Sequence, residues 1–279
     1  MSSEHGGVGR HSPLGQAVDY ACVYDPGLLF PISRAEGRDE LGLHASLPFT
    51  GCDVWNAWEV SWLEPGGKPR VACARLRLPM ASPNLIESKS LKLYLNGFNQ
   101  EHFAHPDELA QIMARDLSAA AGARVSVELT LPEAGDLPVQ APPGECLDGI
   151  DLEIQHYQAA PQLLRPDARR GNVEESVHSH LLRSLCPVTG QPDWGTLAVS
   201  YSGPAMDHAA LLSYIISFRQ HQDYHEHCVE RMFVEIQQAC APARLTVEAR
   251  YLRRGGLDIN PFRSSEPDAS PAPGRWYRQ

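Results

Sequence analysis

A cysteine in a Pro- and Gly-rich turn is a candidate nucleophile in this sequence. Cys186 opens residues 186–195 (CPVTGQPDWG), which follow an apolar run and predict a defined turn. A thiol on such a turn can attack an electrophilic carbon, and Asp193 can return beside it as a general acid or base if burial raises its pKa. The alternative, which spacing alone favours, is a half-buried structural cysteine beside a capping aspartate.

A second candidate lies at residues 87–95 (ESKSLKLYL), which predict the start of a helix. Glu87 at that position complements the helix dipole. The same N-terminus, with Lys89 and Ser90, can also hold a phosphate group. The residues alone leave a helix cap and an anion site equally open.

The densest titratable cluster of the sequence spans residues 221–228 (HQDYHEHC). His221 and His225 have the spacing of a metal-binding helix face, and His178 and His180 can add ligands from a strand. A helix boundary between His221 and His225 would break that face, so a solvated helix start and a substrate site stay open as alternatives.

Within that cluster Glu226 has a distinct capability. A carboxylate accepts two parallel N–H bonds from an amidine-like edge such as that of guanine. Residues 253–261 (RRGGLDINP) pair two arginines with two glycines, which allows close approach to an anion, although a charged edge strand before a turn explains them equally well. The absence of GxGxxG and GxxxxGK[ST] excludes a Rossmann or P-loop site.

An internal repeat appears when the sequence is shifted by 120 positions. Residues 123–128 (ARVSVE) then fall on residues 243–248 (ARLTVE) without a gap, which predicts two copies of one module. Four further matches precede them in the same frame: Leu91, Tyr94, Phe98 and Gln100 on Leu211, Tyr214, Phe218 and Gln220. Residues 207–213 lack the lysines of residues 87–93, so the copies have diverged in chemistry.

Hydrophobic periodicity predicts the same elements in each copy. Helices are expected at 108–119 and 225–238, and strands at 55–63, 70–78, 125–129, 173–185 with a possible break, 196–202 and 245–249. This order predicts an α+β fold with helices packed on one face of an antiparallel sheet.

The expected organisation has five parts. They are an N-terminal extension (1–27), a first module (28–131), a Pro-rich linker (132–172), a second module (173–263) and a C-terminal tail (264–279). The linker and the tail are predicted to be poor in packed structure, except that residues 150–157 alternate as a strand would.

The composition of the chain argues against several classes of function. The net charge of −10 repels phosphate backbones and anionic lipid, so direct binding of nucleic acid is not expected. Seven cysteines without a CxxC pair are typical of reduced thiols. No leader-like or membrane-spanning apolar segment is present, so a soluble cytoplasmic protein is expected.

Four motifs occur together in order: residues 87–94, residues 186–193, the pair His225–Glu226, and residues 253–261. Together they resemble the NADPH-dependent 7-cyano-7-deazaguanine reductases in their long, two-module form, and the similarity runs from about residue 28 to residue 263. The resemblance implies tandem tunnelling-fold (T-fold) modules of β-β-α-α-β-β order, an active site built from both copies, and a homodimer.

The resemblance also implies a reaction: two NADPH reduce the nitrile of the free base 7-cyano-7-deazaguanine to a primary amine, on the way to queuosine in transfer RNA. Cys186 would add to the nitrile carbon to give a thioimide, Asp193 would protonate the nitrogen, and His225 would assist proton transfer. The implied binding residues are Glu87, Ser88, Lys89, His225 and Glu226 for the substrate, and Lys89, Ser90, Arg254 and Gly255 for NADPH. No metal is expected.

Two other functions stay open from sequence. A zinc-dependent pterin or GTP cyclohydrolase on the same fold would use the histidines as metal ligands. A non-catalytic purine-binding module would retain its ligand affinity when Cys186 is replaced by alanine.

Overall fold

The computed structural model describes residues 23–44, 46–135 and 138–279. The first part of the chain contains β1 (Pro31–Ser33), α1 (Arg34–Glu40), β2 (Thr50–Leu63), β3 (Pro69–Pro79), β4 (Asn84–Ile86), α2 (Ser88–Asn96), α3 (Pro106–Ala121) and β5 (Ser126–Thr130). The second part contains β6 (Val139–Gln140), β7 (Glu145–Cys146), β8 (Asn172–Ser179), β9 (Arg183–Leu185), β10 (Pro192–Pro204), α4 (His208–Ser217), α5 (His225–Cys240), β11 (Arg244–Tyr251), β12 (Leu257–Ser264) and β13 (Arg275–Trp276).

One sheet runs through both modules. Its strands lie in the order β5-β3-β2-β12-β11-β10-β8-β7, with β9 paired to β10. All neighbours in this sheet are antiparallel except β7 and β8, which are parallel. β12 pairs with β2 from Leu257 opposite Ala57 to Ser264 opposite Thr50, so this strand joins the two modules.

The structure confirms the internal repeat. α2 and α4 begin at residues 88 and 208, α3 and α5 at residues 106 and 225, and each long helix is followed by an antiparallel strand. Both long helices end at a left-handed residue, Gly122 in the first module and Ala241 in the second. The expected break within 173–185 is also present, between the end of β8 and the start of β9.

The helices cover the apolar face of the sheet. Trp55 of β2 belongs to the core beneath α2 and α3, and Val247 of β11 belongs to the core beneath α4 and α5. The next residue in each strand, Asn56 in β2 and Glu248 in β11, faces the opposite, polar side of the sheet and lines a cleft there. The predicted α+β architecture of two tandem T-fold modules with helices on one face is therefore confirmed.

Three local expectations are wrong. Residues 150–157 form no strand, and the short strand β7 pairs with the end of β8 instead. The charged edge strand that was one alternative for residues 253–261 does not form, because residues 257–264 form the strand β12 between β2 and β11. The linker and the tail are packed: Leu147 is buried in the second core, and Trp276 is buried under the guanidinium of Arg250 at 4.7 Å.

A buried ion network crosses the junction of the modules. Asp53 of β2 accepts from Arg34 at 2.5 Å and from Arg263 of β12 at 2.8 Å. Glu230 of α5 accepts from Arg263 at 2.8 Å and from Arg38 of α1 at 2.7 Å. Burial alone would raise the pKa of both acids, but the neighbouring guanidinium charges outweigh it and lower both, that of Glu230 to about 2.

We expect Asp53→Asn to lower the free energy of unfolding at pH 7 by about 3–5 kcal/mol, because it leaves two buried guanidinium groups partly uncompensated. Denaturant titration measures this loss. Glu64→Gln is the control, since Glu64 pairs with Arg70 near the surface and its loss costs about 1 kcal/mol or less.

The pH dependence has a defined sign. The folded-state pKa of Asp53 lies below its ordinary value, so its ion pairs stabilise the fold above that ordinary value. This contribution is lost as the pH falls through the folded-state pKa, so the gap between the wild-type chain and Asp53→Asn should narrow in acid. A loss at pH 7 no larger than that of the control would contradict the proposed importance of the network.

Candidate active site

A cleft of about 400 Å³ of empty space opens where the start of α2, the start of α5 and the turn before β10 meet. The first module contributes one wall and the second module the other. Of the residues predicted from sequence, the structure brings these to the cleft: Glu87, Ser88, Cys186, Asp193, His225, Glu226 and Arg254.

Cys186 lies at the first position of the hairpin turn between β9 and β10, where Leu185 pairs with Pro192. The Cys186 N–H donates to the carbonyl of Gln191 at 2.8 Å, and the Gly190 N–H donates to the carbonyl of Cys186 at 2.9 Å. Gly190 has a φ of 67°, which favours glycine there. These bonds fix the backbone, so the buried thiol is presented to the cleft in one position.

Asp193 lies between His225 and Arg254. One oxygen is 3.3 Å from His225 Nε2 and the other is 3.3 Å from a guanidinium nitrogen of Arg254. Burial alone would raise its pKa, but the hydrogen bond from His225 and the charges of Arg254 and Lys92 lower it. The condition set from sequence, a pKa raised by burial, is therefore wrong, because these partners hold Asp193 as a carboxylate.

His225 is the first residue of α5, and its ring stacks on Tyr251 with centroids 3.8 Å apart and planes 10° from parallel. This stacking directs Nε2 to Asp193. Because the helix begins at His225, the helical metal face with His221 does not form, and His221 lies instead 3.6 Å from the carboxylate of Asp223.

Glu226 is a buried acid at the second position of α5. It is only 2% exposed, and its Oε1 has no hydrogen-bond partner among the described residues. Burial and the negative charge of Asp53 raise its pKa. A buried carboxylate with an uncommitted oxygen in a cleft is suited to accept N–H donors from a ligand.

Glu87 caps α2: its two oxygens accept the N–H groups of Lys89 at 2.8 Å and Ser90 at 2.7 Å. Its side chain therefore has the capping role and also lines the cleft. Ser90 is fully buried, where its hydroxyl donates to the carbonyl of Glu87 and accepts from the N–H of Phe30. Neither Lys89 nor Ser90 lines the cleft.

A second, shallower cleft adjoins the first on the far side of Arg254. Gly255, Lys92, Asn96 and Asn99 line it. A Cβ built on Gly255 would lie 3.0 Å from Cε of Lys92, so this glycine lets the lysine approach the backbone. Sequence reasoning missed Lys92, although it lies one turn after Lys89 on the same helix and carries the positive charge that lies near Asp193.

Comparisons with known proteins agree with this geometry. The family described as "Nitrile reductase, 7-cyano-7-deazaguanine-reductase N-term" matches residues 20–129, and the family described as "QueF-like protein" matches residues 192–270. The chain is 55% identical over 270 residues to the NADPH-dependent 7-cyano-7-deazaguanine reductase of Bordetella pertussis, covering 96% of this chain and 98% of that protein. The chain belongs to the NADPH-dependent 7-cyano-7-deazaguanine reductase family.

Two other relatives of that name are equally full-length. The 7-cyano-7-deazaguanine reductase of Bordetella avium is 53% identical over 269 residues, covering 96% of this chain and 98% of its own length. That of Burkholderia vietnamiensis is 53% identical over 271 residues, covering 97% and 99%. Within the described residues, none of the helices combines the length and apolar character needed to cross a membrane.

In this reductase-family chain, Glu226→Gln should stabilise the unliganded fold at high pH. The pKa of Glu226 is raised in the folded state. Its ionised form therefore destabilises the fold once the pH exceeds the pKa that Glu226 has in the unfolded chain. We expect a gain of about 1 kcal/mol at pH 8 and almost none at pH 3, below the pKa of the unfolded acid, measured by denaturant unfolding. A variant equally destabilised at both pH values would contradict this reading of the site.

Proposed function

We propose that this chain reduces the nitrile of 7-cyano-7-deazaguanine to the aminomethyl group with two NADPH, as a step towards queuosine. The observation that carries the proposal is the convergence of Cys186, Asp193, His225 and Glu226 in one cleft between the modules. Family membership supports the same reaction, since relatives that match over nearly their whole length bear that name.

Recognition of the base rests on Glu226 and Glu87. The uncommitted Oε1 of Glu226 accepts from the guanine-like N–H edge, and the ionised form binds best, so affinity rises with pH through the raised pKa of this acid. Glu87 uses one lone pair on each oxygen for its helix cap and keeps the others available. Ser88, also in the lining, completes the rim on that side.

The residues beside the cleft fit NADPH. Arg254 and Lys92 provide positive charge for its phosphates, and Gly255, with a φ of 59°, allows backbone approach. Lys89 extends this basic surface from the same helix. When bound, each of the two NADPH molecules supplies one of the two hydrides that the nitrile carbon receives.

The covalent step uses the ionised Asp193. This carboxylate takes the proton of the Cys186 thiol, the sulfur bonds to the nitrile carbon, and one π bond of the nitrile opens onto nitrogen. Asp193 then returns the proton to that nitrogen, which gives a neutral thioimide. His225 holds Asp193 in place, and Asp193 is a neutral acid only between these two transfers.

The later steps depend on shelter from water. After the first reduction Cys186 leaves as a thiolate, and its departure generates an imine that hydrolysis would waste. Cys186 and Asp193 are 4% and 7% exposed, so the reacting carbon lies in a nearly closed site. The second reduction, together with a proton from solvent, then gives the primary amine, and a second solvent proton restores the Cys186 thiol. We also propose that the chain acts as a homodimer and binds no nucleic acid.

We expect Cys186→Ala to abolish the covalent adduct that the nitrile forms before cofactor is added, and to lower turnover on the order of a thousandfold or more. Intact-protein mass spectrometry and NADPH consumption measure the two effects. Cys73→Ala, which removes a half-buried thiol outside the cleft, is the control and should retain both. An adduct that persists in Cys186→Ala would remove this cysteine from the mechanism.

We expect Asp193→Asn to slow adduct formation about 100-fold or more, because the amide can neither take the thiol proton nor return it. Nitrile binding, followed by calorimetry in the absence of NADPH, should change much less. Gln191→Ala is the matched control, since Gln191 is the other side chain that accepts from Arg254. An equal loss in both variants would mean that Asp193 acts only by holding Arg254.

A further inference from the structure

The edge of the sheet opposite β5 carries a cluster of metal-binding residue types that the proposed reaction does not use. Cys146 of β7 pairs directly with His178 of β8 in a parallel register. His180 lies just beyond the end of β8, and its ring centroid is 5.2 Å from that of His178. One potential ligand atom from each of the three residues lies within 4.8 Å of the other two.

Each imidazole is held by a hydrogen bond to its Nδ1. Nδ1 of His178 is 3.0 Å from the carbonyl of Pro143, and Nδ1 of His180 is 2.9 Å from the hydroxyl of Thr196. A carbonyl only accepts, so His178 Nδ1 carries the proton and Nε2 carries the lone pair. This is the outer-shell arrangement that commonly fixes the tautomer of a metal-binding histidine.

The surroundings suit a cation. The carboxylate of Asp148 accepts from the N–H of His180 at 3.0 Å and from the hydroxyl of Ser179 at 2.6 Å, which places a negative charge beside the cluster. Arg278 is the opposing charge, and it donates to the carbonyl of His180 at 2.6 Å. Cys146 is exposed, so an ion can reach the cluster from solvent.

We infer that Cys146, His178 and His180 form a binding site for a zinc-class divalent cation, with the fourth position of the tetrahedron open to water. One thiolate and two imidazoles are ligands that zinc prefers, at about 2.3 Å for sulfur and about 2.0 Å for nitrogen. Binding displaces the Cys146 thiol proton to solvent, so zinc uptake releases one proton. Donor atoms within 4.8 Å need only small side-chain rotations to close on one ion.

This site is separate from the catalytic cleft in composition, since none of its three residues lines that cleft. The sequence grouped His178 and His180 with His221 and His225 as candidate zinc ligands, whereas the structure groups them with Cys146. A second group, His221, Asp223 and Cys228, lies within the same distance limit beside the cleft. Burial raises the pKa of the Cys228 thiol well above its usual value, which disfavours the thiolate that zinc needs.

The test is zinc uptake by the full-length chain, stripped with a chelator and kept reduced. Competition with a chromophoric chelator gives the affinity, native mass spectrometry gives the stoichiometry, and Co²⁺ in place of zinc reports sulfur ligation through thiolate-to-metal charge-transfer absorption. The variants are Cys146→Ser, His178→Ala and Thr196→Val. Cys73→Ser is the matched cysteine control, and Cys228→Ser reports on the second group.

We expect one zinc per chain, with charge-transfer absorption that Cys146→Ser removes and Cys73→Ser retains. His178→Ala should weaken binding strongly, and Thr196→Val should weaken it about tenfold or more by releasing the His180 ring. No zinc uptake at micromolar concentration would overturn the inference. So would uptake that survives Cys146→Ser but is lost in Cys228→Ser, which would place the ion in the other group.

Discussion

The two modules are held together by charges that have no access to water. Asp53 and Glu230 come from different modules, and Arg263 bridges them with donors to both. Ionised groups buried to this extent are costly unless every charge is paired, so the pairing tolerates little displacement. The ion network therefore also fixes the relative position of the two walls of the cleft, because each wall belongs to one of the two modules.

Helix α5 connects the ion network to the cleft. α5 carries Glu230 in the network and, one turn earlier, Glu226 in the cleft. Burial raises the pKa of Glu226 most, the charge of Asp53 raises it further, and the charge of Arg34 opposes both effects. The ionic groups that fix the modules therefore also contribute to the protonation of the acid that we assign to base recognition.

Periodicity and the repeat were sufficient to predict the layers, because each copy buries its apolar residues with an ordinary helix or strand period. They did not predict β12, because residues 257–264 are buried along their whole length and pair not only with β11 but also with β2, which lies far earlier in the chain. Most of the residues singled out by the motifs line one cleft in the structure. The motifs could not show that the N–H and hydroxyl of Ser90 form hydrogen bonds at the start of α2. They also could not show that the charges of Lys92 and Arg254 keep Asp193 ionised, because both effects depend on three-dimensional contacts.

The position of β12 bears on how the protein is made. Asn56 of β2 donates a hydrogen bond to Asp258 of β12, a residue 202 positions later in the chain. Contacts over such sequence separations form slowly, because the intervening chain must be ordered first. The cleft therefore forms only after β12 has emerged from the ribosome and inserted between β2 and β11. Under the proposed mechanism, Cys186 would therefore lack its complete site until most of the chain has been synthesised.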